Sequence, residues 1–205
     1  GAATGKSTGA KMISKKYNLK FLSSGLLYRY AALLILKNKP RNKIKFLKKR
    51  FENLNYKKLY KINLHSPEIS VYSAQIAKFN EIRKILKKYQ INFSKKNRNC
   101  CIEGRDISTK IIPKSDLKFF FKCNLNIAAK RRYKELKKKN AKISLLEVKR
   151  ALKMRNISDI NRKNSPLLKH RDSIEIDTGK LNKQAMMKKL SKHVEKALVN
   201  KKYGI

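Results

Sequence analysis

Gly1-Ala2-Ala3-Thr4-Gly5-Lys6-Ser7-Thr8 decides the fold class. It matches the end of the pattern G-x-x-x-x-G-K-[ST]. Small residues let successive backbone N–H groups curl around a phosphate, and the helix that follows points its positive end at the same anion. Lys6 would reach the β- and γ-phosphates of ATP, and the Ser7 hydroxyl would ligand Mg²⁺. ATP binding is therefore expected of Gly1, Ala2, Ala3, Thr4, Gly5, Lys6, Ser7 and Thr8. The pattern's first glycine falls one position before Gly1. An apolar strand should carry the loop, so the native N-terminus is expected upstream and the first strand outside this chain. The competing reading is a small-residue helix start with a chance Gly-Lys-Ser-Thr. The loop alone does not identify the phosphate acceptor.

Beyond the loop, strands alternate with helices, which argues for an α/β fold with a parallel sheet flanked by helices. A helix is expected to run from inside Gly5–Thr8 to about Lys16, then a strand over Lys20–Ser23 and an apolar helix over Gly25–Lys37. The Lys/Asn-rich stretch from Asn38 to Leu64 has only weak helical periodicity, at Ile44, Leu47, Phe51 and Leu54. Ser66-Pro67-Glu68 reads as a helix start, with Ile69, Ile76, Phe79, Ile82 and Leu86 near one face of the helix it begins. Cys100–Ile102 and Leu117–Phe121 suit buried strands. Two basic helices, about 126–139 and 143–154, lead into a polar loop over Arg155–Ser165. A last strand over Ser173–Asp177 precedes a closing helix with Met186, Leu190, Val194 and Leu198 on one side. One core domain spanning 1–205 is expected, with inserted mobile segments at about 38–95 and 130–164.

Across 205 residues, 54 Lys plus Arg face 13 Asp plus Glu, a formal net charge of +41. Such an excess attracts polyanions. Yet the basic residues are spread along the chain with no separate arm or tail, so no specific nucleic-acid partner is expected. Cys100, Cys101 and Cys123 form no CxxC pair and no zinc spacing with histidine, and they read as small buried hydrophobes in a reducing compartment. His65, His170 and His193 read as surface or structural. The longest apolar run, Ala31–Leu36, is too short to span a bilayer, and the apolar stripe of the last helix reads as packing on the sheet. A cytoplasmic protein with no membrane partner, and a monomer, is expected.

Four further blocks, in order, resemble the bacterial cytidylate kinase family. Ser23-Ser24-Gly25-Leu26-Leu27-Tyr28-Arg29 is similar to the family's D-[ST]-G-x-x-Y-R. Ala74-Gln75 through Ile82-Arg83 is similar to S-x-x-A-x-x-P-x-V-R. Glu103-Gly104-Arg105-Asp106 followed by Pro113 is similar to D-G-R-D-x-G-T-x-x-x-P. Arg155 through Asp159 and Arg162 to Pro166 are similar to R-D-x-x-D-x-x-R with a later proline. Ile176-Asp177-Thr178 fits the last strand. With the phosphate loop these blocks cover nearly the whole chain.

The resemblance implies a nucleoside monophosphate kinase that moves the γ-phosphoryl of ATP to CMP or dCMP. It assigns Arg29, Arg105 and Arg162 to the acceptor phosphate and the reacting centre, with Lys6, Arg105 and Arg162 catalytic. Always-charged Arg forks suit that task. Ser24 and Tyr28 belong to the implied substrate site. Asp106 would accept from the cytosine amine and Arg83 would donate to the ring acceptors. A carboxylate facing uracil's O4 would disfavour UMP. Arg155 and Asp159 would touch the sugar. Ser7 and Glu103 would hold Mg²⁺, directly or through water. The chain departs from the family pattern at Ala74 (for Ser), His65 (for Arg), Ser23 (for Asp) and Glu103 (for Asp). The stretch between Arg29 and His65 is also shorter than in the long bacterial form. Two alternatives remain: a kinase of the same fold acting on UMP, AMP, dTMP or a small alcohol such as shikimate, and a basic nucleic-acid-binding protein that keeps an NTPase core.

Overall fold

The computed structural model describes residues 1–138 and 142–203. Its described residues form two compact units, Asn18–Gly104 and Gly1–Tyr17 with Arg105 onward.

The unit Asn18–Gly104 contains strands β1 (Lys20–Ser23) and β2 (Cys100–Glu103) and helices α2 (Ser24–Asn38), α3 (Lys43–Glu52), α4 (Pro67–Ile76) and α5 (Asn80–Lys96). The strands pair in parallel, with Lys20 opposite Cys100 and Ser23 opposite Glu103. Parallel pairing requires a crossover, which the four helices supply. Leu22, Leu27, Ala31, Leu47, Leu64 and Leu86 are fully buried together at its centre. The weak periodicity at Ile44, Leu47 and Phe51 is a real helix, α3, capped by the Asn42 side chain, which accepts from the Lys45 N–H.

Ser66 starts α4 as its sequence suggests, its Oγ accepting from the Ile69 N–H at 3.2 Å with Pro67 in the first turn. The stretch it begins is two helices, not one. The chain breaks over residues 77–79, and Phe79 takes an extended conformation (φ −84°, ψ 122°) as the residue before α5. Phe79 is consequently 59% exposed, off the apolar face expected for it.

The other unit contains α1 (Lys6–Lys16), a π-helical turn over Ile107–Ile111, strands β3 (Phe119–Lys122) and β4 (Ile174–Asp177), and helices α6 (Leu125–Lys137), α7 (Leu145–Asn161) and α8 (Lys183–Tyr203). β3 and β4 are also parallel, Phe119 facing Ile174 and Lys122 facing Asp177. An added Cβ on Gly9 of α1 would stand 2.8 Å from the Phe121 ring, so only glycine lets α1 approach β3 this closely. Ala2, Ala128, Ala129, Val148 and Leu152 pack together beside it.

A capping box starts α7: the Ser144 hydroxyl accepts from the Glu147 N–H, and the Glu147 carboxylate accepts from the Ser144 N–H. The Ser144 N–H, and after it the Ser144 hydroxyl, stabilise the ionised Glu147 carboxyl and hold it below its ordinary range. The helix then runs seven residues beyond its expected end. Residues 155–161, expected in a polar loop, are its last two turns, so Arg155 and Asp159 project from a helix. The last residue expected of the 126–139 helix, and residues 139–141 of the inserted segment 130–164, lie outside the described residues. Leu117 and Lys118 precede β3 instead of joining it. Leu198 is half exposed, so the packed stripe of α8 is carried by Met186, Leu190 and Val194. The three cysteines are half-buried, not enclosed: the strands bearing Cys100 and Cys101 are short, and Cys123 stands just past β3.

Candidate active site

The loop before α1 has the backbone that its composition suggests. Ala3 (φ 55°) and Gly5 (φ 78°) are both left-handed. Alternation of that kind turns consecutive N–H groups toward one concave side. Gly5 ends the loop and its carbonyl accepts from the Gly9 N–H at 2.9 Å, the first bond of α1. No acidic residue lies in the first turn of α1 and no side chain caps it, so Lys6 and Ser7 stand at a positive helix end that its own first turn does not offset. Within the loop, the Thr4 hydroxyl donates to the Gly1 carbonyl at 3.1 Å, and the Ala2 N–H donates to Oδ1 of Asn156 on α7 at 2.9 Å. Asn156, which sequence reasoning passed over, stands where the family pattern R-D-x-x-D has its first Asp.

Arg105, Asp159 and Arg162 meet in the same unit. Arg105 Nε lies 2.5 Å from Asp159 Oδ2, and Arg162 Nη1 lies 3.7 Å from Asp159 Oδ1. Arg162 Nε also donates to the Ser165 carbonyl, and Asp159 accepts the Leu167 N–H on its own carbonyl at 2.7 Å. The turn after α7 is thereby folded back, with Ser165 at φ 53°. Two guanidinium groups around one carboxylate leave a net positive charge in a mostly buried setting. Arg155, one turn before Asp159, is exposed. Asp106 is 5% exposed, and its carbonyl receives the Lys110 and Ile111 N–H groups of the π-helical turn.

The Asn18–Gly104 unit collects the other candidates. Ser24, Tyr28 and Arg29 are on the first two turns of α2. The Arg83 guanidinium lies 5.8 Å from the Tyr28 ring centre, within cation–π range, and donates to the Ala77 carbonyl at 3.2 Å. Ala77 belongs to the break between α4 and α5, so the break supplies the acceptor that orients Arg83. At the paired ends of β1 and β2, the Ser23 hydroxyl donates to Glu103 Oε1 at 2.5 Å in a buried position. Ser23 is the residue before α2, yet its hydroxyl serves Glu103 and does not cap the helix. The two departures from the family's Asp residues are thus in direct contact.

The residues that could meet Mg²⁺ are hard oxygen donors, the Ser7 hydroxyl and the Glu103 carboxylate. Among the described residues no group of three or more His, Cys, Asp or Glu side chains could hold a metal by itself. The Ser7 hydroxyl and the Glu103 carboxylate are each by themselves donors of the kind Mg²⁺ takes, an ion commonly bound by one or two protein oxygens together with substrate phosphates and water.

A glycine-ended phosphate loop opening a helix, parallel strands and an Arg–Asp–Arg cluster define a P-loop kinase of the nucleoside monophosphate type. The comparisons give the particular family: a sequence model described as "Cytidylate kinase" matches residues 1–196. Curated relatives agree. The cytidylate kinase of Fervidobacterium nodosum is 34% identical over 199 residues, covering 92% of this chain and 90% of that protein. That of Thermosipho melanesiensis is 33% identical over 204 residues (95% and 93%), and that of Rickettsia akari is 32% identical over 198 (95% and 88%). The chain belongs to the cytidylate kinase family.

Proposed function

We infer that this chain transfers the γ-phosphoryl group of ATP to CMP or dCMP, giving ADP and CDP or dCDP. The observation that carries the reading is the family match across residues 1–196, and the left-handed backbone at Ala3 and Gly5 supports a phosphate-binding role for the loop at its start. Neither comparison nor geometry favours UMP, AMP or a small alcohol as acceptor, nor a nucleic-acid role.

The residue roles follow from chemistry and resemblance. The N–H groups of Gly1–Thr8 and the Lys6 ammonium would bind the ATP phosphates. Phosphoryl transfer requires little covalent chemistry from a protein, so most of the acceleration comes from positioning and charge stabilisation. Arg105 and Arg162 suit the transferring phosphoryl, and Arg29 suits the acceptor phosphate. Arg83 and Asp106 would read the cytosine edge, Ser24 and Tyr28 would help seat the monophosphate, and Arg155 and Asp159 would approach the sugar. For Asp159 this requires loosening its bond to Arg105. Mg²⁺, through Ser7 and Glu103, would neutralise charge on the β- and γ-oxygens. Residues 38–95 and 130–164 are proposed as the monophosphate-binding and lid segments. The acceptor phosphate is already ionised, so no general base is required.

Among the described residues no helix is long and apolar enough to cross a membrane. The test of the reading is an ADP-release assay with CMP, dCMP, UMP and AMP as acceptors. Turnover with CMP or dCMP should exceed that with the others by at least tenfold. Equal rates with all four, or none with any, would overturn it.

A further inference from the structure

A phosphate loop turns N–H groups inward and therefore turns carbonyls outward into the protein, where each buried one needs a donor. The Thr4 carbonyl is such a group, in a residue only 4% exposed. Its donor is the hydroxyl of Thr178, just past β4 and 2% exposed, at 2.9 Å. That hydroxyl has one proton and two acceptors in reach, the second being the Lys122 carbonyl at 3.3 Å. Lys122 already accepts the Thr178 N–H at 3.0 Å, so the proton is better used on Thr4.

Arg131 of α6 reinforces that choice. Its Nη1 donates to Thr178 Oγ1 at 3.2 Å and its Nη2 donates to the Thr178 carbonyl at 2.7 Å. A rigid fork on both oxygens of one residue holds the side-chain rotamer, and a hydroxyl that accepts from a cation donates more strongly onward. The chain of bonds runs from a cation on α6, through Thr178, to the loop carbonyl between the two left-handed residues Ala3 and Gly5.

We propose that Thr178, held by Arg131, is a positioning residue that keeps the phosphate loop in its binding conformation and so sets the affinity for ATP. The inference rests on the reading of Gly1–Thr8 as that loop. Neither residue is assigned contact with nucleotide.

The test uses the full chain with three variants. Thr178→Val keeps shape and removes the hydroxyl, Thr178→Ser keeps the hydroxyl, and Arg131→Met removes the fork from an exposed side chain that is not required for the core. The KM for ATP and the Kd of a fluorescent ATP analogue should rise roughly fivefold to tenfold in Thr178→Val, as expected for one buried neutral hydrogen bond. The KM for CMP should stay within about twofold, and Thr178→Ser should restore ATP binding. Arg131→Met should move the same two quantities in the same direction by a smaller factor, which keeps the test open if Thr178→Val does not fold. Unchanged analogue binding in Thr178→Val and Arg131→Met would overturn the proposal, as would a parallel rise in both KM values that serine does not rescue. Lys6→Ala separates the two readings. If it abolishes turnover while the Thr178 and Arg131 variants are neutral, only this inference fails; if it too is neutral, the phosphate-loop reading fails with it.

Discussion

Replacing Asp159 by Asn tests whether the carboxylate between Arg105 and Arg162 holds that cluster together. The side chain of Asp159 is 11% exposed, and those of Arg105 and Arg162 are 21% and 19% exposed. Two opposite charges about 4 Å apart attract by about 4 kcal/mol at an effective dielectric of about 20, before desolvation is subtracted. Breaking a fully buried pair costs about 3–5 kcal/mol, while surface pairs contribute about 0–1 kcal/mol. The partial exposure here, and the ability of Asn to accept one of the two guanidinium bonds, place Asp159→Asn between those limits, at about 2 kcal/mol destabilising. For a chain of this size that lowers Tm by about 4–8 °C. Urea unfolding of parent and variant, followed by circular dichroism, measures it. Pairing with Arg105→Met isolates the interaction: the double variant should be less destabilised than the sum of the singles by more than about 1 kcal/mol. At 1 M salt most of the difference should remain, since screening acts weakly on buried pairs. A loss under about 0.5 kcal/mol, the size of an ordinary surface substitution, or one that vanishes in salt, would refute the reasoning.

Other outcomes follow from the same site. Lys6→Ala should lower kcat about 100- to 1,000-fold, comparable to losing one preorganised transition-state donor, with CMP affinity nearly unchanged by calorimetry. Asp106→Asn should narrow the preference for CMP over UMP, because an amide can turn a donor toward uracil's O4; the loss in kcat/KM for CMP should be about 1.5–3 kcal/mol, with UMP level or improved. Equal loss for both substrates would instead assign Asp106 to the phosphate arginines. The net charge of +41 should give weak DNA binding at low salt that falls steeply as salt rises, without sequence preference, in a filter or anisotropy assay. Nanomolar, sequence-selective binding at physiological salt would contradict the reading of that charge as diffuse.

The family pattern could have signalled the break between α4 and α5. In S-x-x-A-x-x-P-x-V-R the proline corresponds to Asn80, the first residue of α5, where proline is best tolerated and a preceding helix ends. This chain has Asn there, so the local cue is gone while the architecture remains. The end of α7 was hidden for a related reason. Arg155–Asn161 is polar nearly throughout, as loops are, and it stays helical because Asp159 is anchored by Arg105 and Arg162 and its carbonyl catches Leu167. Local composition carries no trace of Arg105, more than fifty positions earlier.

The sequence by itself determined the alternation of strand and helix, the Gly5-ended turn that opens α1 and the order of the motif blocks. Each depends on residues close together in the chain: Gly5 for a left-handed turn, Lys6 and Ser7 at a helix start, Ser66 and Pro67 for capping. Only the tertiary structure decided which side chains meet across long separations. It paired Ser23 with Glu103, set Asp159 between two arginines, and gave the Thr4 carbonyl a donor from Thr178 under Arg131. The physical reason is that helix starts and turns are fixed by a few neighbouring dihedrals and caps. A buried polar group must instead find its partner wherever the packed chain delivers one.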